Sequence, residues 1–187
     1  MAAGRLLLPM EAAIRLPCQA QGWRVATEIA PSVIAGAGNG RFAREGISAG
    51  SIVAVKPVRA MAAVETLHSV GADRALTFCS AAELEQYIHL GVAEGGFTVE
   101  QSRETLEHYL WSLDGVRGVL NWSTWSVNHG SGSEMKLHTY HDRAGGEEVV
   151  VSEAAQDIPS GTELTMDYCA FDMPEFYLEY VPLSVLR

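Results

Sequence analysis

Cysteine and lysine are both scarce in this chain of 187 residues. The three cysteines lie far apart and form no Cys-x-x-Cys pair, which argues against a disulfide framework or a cysteine-ligated zinc cluster. We expect Cys18, Cys79 and Cys169 to be reduced and mostly buried thiols. Two lysines stand against eleven arginines, and the formal net charge is −10. This balance argues against direct nucleic acid binding, which needs clustered basic residues, and favours a basic partner.

Long hydrophobic runs are also missing. The apolar stretch at residues 4–10 is interrupted by Pro9 and followed by Glu11, well short of the roughly 20 residues that span a bilayer. The first residues lack the ordered basic, apolar and small-residue segments of a secretory signal. We therefore expect an intracellular protein, cytoplasmic or nuclear, with no membrane partner. Hydrophobic residues nevertheless make up 48% of the chain, enough for the core of one domain.

The first and last thirds of the chain show the pattern of short β-strands separated by turns. Residues 51–55 are β-rich, and Pro57 is expected to end that strand. Residues 162–168 alternate, which would place three side chains on one face of a strand: Leu164, Met166 and Tyr168. With a helical middle, these segments predict an α+β domain that is mostly β.

Two helices are predicted in an insert at about residues 60–120. Ser80 and Glu83 have the spacing of a capping box, and so do Thr98 and Gln101. Gly115 is placed to end the second helix. The aromatic residues near the end of that helix, Tyr109 and Trp111, are expected to pack in the core rather than to form a ligand cage.

Several other patterns contain residue types that can carry chemistry. His138, His141 and Asp142 offer the ligand types of a zinc or iron site, but residues three apart in a strand point to opposite faces. No serine lies in a Gly-x-Ser-x-Gly elbow, and the glycines at 36–40 lack the Gly-Lys-Ser/Thr ending of a phosphate loop. We therefore predict no metal site. The glycine turn alone indicates a backbone that a ligand can approach closely.

Four segments taken together carry more information. They read SVIAGAGNGRFA at 32–43, ISAG at 47–50, VNH at 127–129 and DIPSGTELTMDY at 157–168. In order and spacing they resemble the SET-domain family of protein lysine methyltransferases. In that family a glycine-rich turn ending in Phe-Ala opens the domain, an Asn-His pair lies in the middle, and Gly-Glu-Glu-Leu-Thr-x-Asp-Tyr closes it. The resemblance covers residues 23–172.

The resemblance implies a SET-type (β-clip) fold of small β-sheets around a knot-like crossing. It implies S-adenosylmethionine as the cofactor on one face and an amine substrate that enters a narrow channel from the other. By position, the cofactor would be bound by Gly38, Asn39, Gly40, Arg41, Asn128 and His129. Tyr168 would be the catalytic residue, and Asp167 before it would be structural. The channel would be lined by Tyr168, Phe171 and Tyr140, with Tyr87 and Tyr109 as alternatives to Tyr140.

The chain departs from the family pattern at two places. Residues 130–134 read GSGSE where the family usually continues Ser-Cys-x-Pro-Asn after the Asn-His pair. No set of three cysteines follows Tyr168, which excludes the zinc-bound lid of many histone enzymes. The aromatic tail either forms a lid instead or packs against the domain: Phe171, Met173, Phe176, Tyr177 and Tyr180. The predicted organisation is an arm at 1–22, a catalytic domain at 23–172 and a lid or tail at 173–187.

The function that the resemblance implies is methyl transfer from S-adenosylmethionine to a lysine amine of a basic protein such as a histone, in a chromatin setting. Two alternatives stay open. One is a non-catalytic module of the same fold that recruits partners, suggested by the altered residues after His129. The other is a methyltransferase of the same type that acts on a small amine or another non-histone substrate.

Overall fold

The computed structural model describes residues 21–112, 114–121 and 126–180. Cys18, nearly all of the predicted arm at 1–22, the side chain of Tyr180 and the end of the predicted tail therefore lie outside the described residues. No helix in the described ranges is long and apolar enough to cross a membrane.

Ten strands in the described residues form one mixed sheet. Their bounds are β1 Thr27–Pro31, β2 Asn39–Ala43, β3 Ile52–Ala60, β4 Ala75–Phe78, β5 Leu110–Trp111, β6 Gly118–Leu120, β7 Asn128–His129, β8 Leu137–Ala144, β9 Glu147–Ala154 and β10 Glu163–Met166. The order is β1-β2-β10-β8-β9-β3-β4-β6-β5, and β7 pairs with β10 beside this path. This mixed sheet with few helices confirms that the domain is mostly β, as predicted.

The two predicted helices are present as α1 Ala81–Ala93 and α2 Val99–Tyr109. A short third helix, α3 Glu175–Tyr180, was not predicted. At the start of α2, the Gln101 amide donates to Thr98 Oγ1 at 3.1 Å, and the Thr98 amide donates to Gln101 Oε1 at 2.9 Å. This reciprocal pair is the predicted capping box, and it satisfies two amides that the helix leaves without partners.

Two predictions about helix ends are wrong in detail. Ser80 is the N-cap of α1, but its side chain makes no capping hydrogen bond. Glu83 accepts instead from the amide of Cys79 at 2.7 Å. Only the glutamate half of the capping box therefore forms, and its donor lies one residue before Ser80. Gly115 does not end α2, because the chain becomes extended at Leu110 and β5 pairs there with β6.

Two strand ends also differ from the prediction. Pro57 does not end β3, which continues to Ala60. Proline cannot donate to a ladder, and Pro57 lies where β3 changes partner, opposite Val149 of β9 and just before Val58 pairs with β4. At the other end of the chain, β10 stops at Met166. Tyr168 therefore lies in a 3-10 turn after the strand and does not share the face of Leu164 and Met166.

The apolar interior forms two main clusters. The helical cluster joins α1 and α2 to β4 through buried residues such as Phe78, Leu84, Tyr87 and Leu106. The second cluster packs under β10 and β7 and includes Val127, Leu164 and Met166. The two cysteines in the described ranges, Cys79 and Cys169, are free thiols as predicted, but the prediction of burial is wrong because both are exposed.

Candidate functional site

The closing motif and the Asn-His pair meet in the sheet. β10 runs parallel to β7, with Thr165 opposite Asn128 and Met166 opposite His129. β10 also pairs antiparallel with β2, where Leu164 lies opposite Arg41. Three sequence segments that are far apart in the chain are thus held side by side by backbone hydrogen bonds.

Tyr168 occupies the point where β10 ends beside β7. Its hydroxyl donates to the carbonyl oxygen of Val127 at 2.5 Å, and its amide donates to Nδ1 of His129 at 3.1 Å. The residue still exposes 48% of its surface. Burial of the phenol, with a smaller contribution from the nearby Tyr109, raises the pKa of Tyr168 above its ordinary value. The hydroxyl is therefore neutral near pH 7 and retains its proton for donation.

His129, Asp167 and Cys169 surround this turn. Their potential ligand atoms lie within 4.8 Å of one another, which is close enough for a metal ion. Two of these groups already hold the turn, because His129 accepts from Tyr168 and Asp167 Oδ1 accepts from the amide of Cys169 at 2.9 Å. Asp167 is thus a capping residue of the 3-10 turn. The pair His138 and His141 is not among the metal-competent groups of the described residues.

Asn128 connects the middle motif to the glycine-rich turn. Its side-chain amide nitrogen donates to Glu163 Oε1 at 2.7 Å, to the carbonyl of Asn39 at 3.1 Å and to Ser32 Oγ at 3.2 Å. Glu163 also accepts from Ser32 Oγ at 2.8 and 3.0 Å and from the amide of Val33 at 2.9 Å. We call Ser32, Val33, Asn128 and Glu163 the carboxylate cluster. It fixes the start of the glycine-rich turn against the Asn-His pair.

The glycine-rich turn has room beside its backbone. Gly38 has φ +70°, and a Cβ added there would meet nothing within 4 Å. Gly40 is different, since a Cβ there would lie 2.1 Å from Glu163 Oε1. Asn39 is exposed, and its carbonyl already accepts from Asn128. The turn therefore combines an open surface at Gly38 with a tightly packed one at Gly40.

Arg41 contributes its backbone rather than its side chain to this region. Its side chain is only 1% exposed and donates to Ser126 Oγ, Thr27 Oγ1 and Gln21 Oε1 at 3.2, 2.8 and 2.9 Å. The guanidinium also lies 4.6 Å from the ring centre of Trp23. The guanidinium is therefore a structural group, and the main chain of Arg41 lies between its partner strands β1 and β10.

The altered tract after His129 has a structural reason. Gly130 is buried, and a Cβ there would lie 2.9 Å from Cβ and Oγ1 of Thr165. Its amide donates to the carbonyl of Met166 at 3.0 Å. Gly132–Glu134 then forms a 3-10 turn, and Thr165 Oγ1 donates to the carbonyl of Glu134. The tract thus holds β7 against β10 through the close packing at Gly130 and the hydrogen bond of Thr165.

A cavity of about 230 Å³ opens beside Tyr168. Its walls come from the end of α2, from β5, and from the segment that follows β10. We call it the aromatic cavity, and it is lined by Glu107, His108, Tyr109, Leu110, Trp111, Met166, Tyr168, Phe171, Asp172 and Met173. The rings of Trp111 and Phe171 lie 4.7 Å apart between centres at 31°. Apolar and aromatic walls with few polar groups are typical of a binding site for a small or narrow ligand.

The predicted channel residues are only partly brought together. Tyr168 and Phe171 both line the aromatic cavity. Tyr140 is not part of its wall. It lies in β8 opposite Val151, and its hydroxyl donates to Glu153 Oε2 at 3.0 Å. Tyr87 is buried in the helical cluster against Phe78 and Phe97.

Sequence reasoning left Tyr109 as an alternative and assigned Trp111 to the core, yet both line the cavity. The detectable signal was the position of Tyr109 at the last turn of a helix, where a side chain can face out of the core. The residues of the predicted aromatic tail lie in two different places. Phe171 and Met173 line the cavity, whereas Tyr177 is 1% exposed and belongs to the helical cluster.

Comparison with solved structures shows that the chain is similar to known proteins in its fold. A search of solved structures finds the apo Polycomb Repressive Complex 2 of Chaetomium thermophilum with two substitutions in Ezh2, at 18% identity and a TM-score of 0.54. The match covers 83% of this chain and 16% of that one. The same complex in an autoinhibited conformation bound to S-adenosylmethionine matches at 17% identity, with a TM-score of 0.51 and coverage of 83% and 16%. This chain thus spans about one sixth of the length of those chains.

These likenesses confirm the SET-type resemblance at the level of the fold. No protein-family model matches the chain, and neither does any curated protein sequence.

Proposed function

We propose that this protein is an S-adenosylmethionine-dependent methyltransferase that methylates the side-chain amine of lysine in a basic protein such as a histone. The observation that carries the proposal is the position of Tyr168. It stands between two features of different chemistry, the carboxylate cluster with its open glycine turn and the aromatic cavity. A bisubstrate reaction needs such a junction, with one reactant on each side of the reacting group.

The residues on the first side fit the proposed cofactor. The open space at Gly38, next to the exposed Asn39, supplies a surface that a ligand can approach closely, and the buried Gly40 and Arg41 hold this turn in β2. Among the described residues, Asn128 Oδ1 has no hydrogen-bond donor, so it is available to accept one from a ligand. His129 is exposed and can contact the adenine. When bound, S-adenosylmethionine supplies an electrophilic methyl group carried on a sulfonium sulfur.

The residues on the second side fit the nucleophile. A lysine amine has a reference pKa of about 10.4 and must be neutral to attack carbon. Removal from water in the aromatic cavity disfavours the ammonium form and lowers that pKa. The neutral Tyr168 phenol beside the Val127 carbonyl orients the amine, and the packed rings of Trp111 and Phe171 form an apolar wall beside it. Alignment and a preorganised polar environment then provide most of the rate.

The charge of the chain supports a basic protein as the substrate. The net charge is −10, and the rim of the aromatic cavity includes Glu107 and Asp172. Opposite charges increase the rate of encounter and favour a cationic segment around the target lysine. We propose a catalytic domain that runs from residue 23 and includes α3, because Tyr177 packs in its core. The knot-like crossing of SET-type folds would lie where β7 meets β10.

The test has two stages. Calorimetric titration with S-adenosylmethionine should give saturable binding at one site per chain. Incubation with radiolabelled cofactor and with histones or ribosomal proteins should then label a basic protein. Absence of cofactor binding would support a non-catalytic module, and label found only in small amines of an added lysate would assign a different substrate.

A further inference from the structure

The carboxylate of Glu163 accepts an unusual set of donors for a residue outside the proposed contacts with substrate and cofactor. Its two oxygens accept from the Ser32 hydroxyl, the Val33 amide and the Asn128 side-chain amide. The residue is 6% exposed, and in the described residues no lysine, arginine or histidine forms an ion pair with it. A buried carboxylate without a countercharge is costly, so its hydrogen bonds must compensate.

We infer that Glu163 is the positioning residue of the proposed cofactor site, and this inference rests on the proposed function. Three donors converge on it from two segments that lie about a hundred residues apart in the sequence. A carboxylate is the side chain that matches them, because it accepts at both oxygens and donates at neither. Hydrogen bonds to a charged acceptor are also stronger than neutral ones.

One consequence is the orientation of Asn128. The amide nitrogen of Asn128 faces Glu163 Oε1 at 2.7 Å and the Asn39 carbonyl at 3.1 Å. Two acceptors define which end of the amide is nitrogen, so Oδ1 is the end left for a ligand. Without Glu163, the amide loses its closest acceptor and can turn over.

A second consequence is the shape of the glycine-rich turn. Ser32 Oγ donates to Glu163 and accepts from the amide of Ile34 at 2.9 Å. Glu163 therefore holds Ser32 and Val33 directly and Ile34 through Ser32. Gly40 packs against the same carboxylate, with only 2.1 Å between a hypothetical Cβ and Oε1. The glycine at position 40 is thus required by Glu163 rather than by the conformation of its own backbone.

The direct test is Glu163→Gln, which preserves size and removes the charge. A glutamine has one acceptor oxygen and a donor nitrogen, so at least one of the three donors would face another donor. We expect binding of S-adenosylmethionine to weaken by about tenfold or more in calorimetry. The KM for the cofactor should rise, while kcat at saturating cofactor stays within about threefold, because the group acts through the binding site. Glu45→Gln is the matched control, since Glu45 also accepts from a backbone amide, that of Ala26 at 3.2 Å, but at an exposed position.

A second pair of variants tests the packing independently of catalysis. Gly40→Ala alone should displace the carboxylate and weaken cofactor binding like Glu163→Gln. In a Glu163→Ala background the added methyl has room, so Gly40→Ala should cause no further loss. A further loss of the same size in that background would overturn the proposed contact.

Hydrogen exchange separates failure of the inference from failure of the proposed function. In the free protein, Glu163→Gln should speed exchange of the Val33 and Ile34 amides relative to the wild type and to Glu45→Gln. If the wild type does not bind S-adenosylmethionine, the proposed function is wrong, whatever the exchange shows. If the wild type binds and Glu163→Gln binds within twofold of it with unchanged exchange, Glu163 is not the positioning residue.

Discussion

The two sides of Tyr168 are built by different means. The carboxylate cluster is held by hydrogen bonds between segments distant in sequence, and every donor in it converges on Glu163. The aromatic cavity is built mainly from two short segments, residues 107–111 and 171–173, which meet through a bridge between Ser112 and Asp172. The polar side depends on the geometry of a few atoms, whereas the aromatic side depends on shape and the exclusion of water. Substitutions on the two sides should therefore fail in different ways.

The largest expected effect is at the boundary between the two sides. Tyr168→Phe removes the hydroxyl that donates to Val127 and keeps the ring. We expect kcat to fall by about 100-fold, because the amine loses the phenol oxygen that aligns it with the methyl group. Cofactor affinity should remain within about threefold, because the ring still packs 5.5 Å from His129. Steady-state kinetics with titration of the cofactor checks both, and an unchanged kcat would mean that Tyr168 is not catalytic.

Variants in the aromatic tail test whether residues on the cavity side of Tyr168 also stabilise the fold. Tyr177→Ala removes a ring that is 1% exposed in the helical cluster, and we expect a loss of about 3 kcal/mol in the free energy of unfolding. Deletion of residues 173–187 should accordingly destabilise the fold, rather than only disable a lid. Urea unfolding measures the loss. Tyr168→Phe is the control with little effect, and a Tyr177→Ala protein as stable as the wild type would place the tail outside the core.

A buried lysine, Lys56, lies over the ring of Trp23. Burial, and to a smaller extent the charge of Arg41, lower the pKa of Lys56 to about 7, and its ammonium donates to the carbonyl of Gln21. The unfolded chain keeps this proton up to about pH 10.5, so the unfolded state binds more protons between pH 7 and pH 10.5. Stability should therefore rise with pH in that range.

Lys56→Met isolates this contribution. Between pH 7 and pH 9, the wild type should gain about 2 kcal/mol of unfolding free energy relative to Lys56→Met. Lys136→Met, at the only other lysine of the chain, is the control and should follow the wild type. Parallel stability curves for the wild type and Lys56→Met across this range would contradict a depressed pKa.

The smallest effect is expected in the cavity wall. Phe171→Ala removes the ring that packs 4.7 Å from Trp111 and widens the aromatic cavity. We expect the KM for a lysine peptide to rise about tenfold, which corresponds to about 1.4 kcal/mol, with cofactor binding unchanged. Cofactor affinity that falls in parallel with peptide affinity would show that the two sides are not separate.

The motifs predicted the polar side better than the aromatic side. Asn128, Gly40 and Tyr168 belong to motifs that can be recognised in the sequence. The pairing of β2, β7 and β10 brings these motifs together. Tyr140 was placed in the channel, yet it lies in the hairpin of β8 and β9, and Tyr109 lines the cavity instead. Which aromatic residue faces a cavity depends on where α2 ends, and α2 ends at Tyr109 because β5 pairs with β6 there.

Other differences between the predictions and the structure also arise from tertiary contacts. Pro57 has no amide hydrogen to donate, so the sequence predicts that the strand ends there. β3 nevertheless continues, because its partner strand changes at that residue. Glu163 is part of the closing motif, yet its role becomes visible only when Ser32 and Asn128 are brought to it. Local patterns predicted the elements, and pairing between distant segments decided their ends and their functions.

The most direct measurement of the central claim is the identity of the labelled amino acid. The protein should be incubated with radiolabelled S-adenosylmethionine and a mixture of histones and ribosomal proteins, and the labelled product hydrolysed and analysed. The account predicts label in methyllysine with the wild type, and little or none with Tyr168→Phe. A wild-type protein that binds the cofactor but labels no lysine in any basic protein would contradict it.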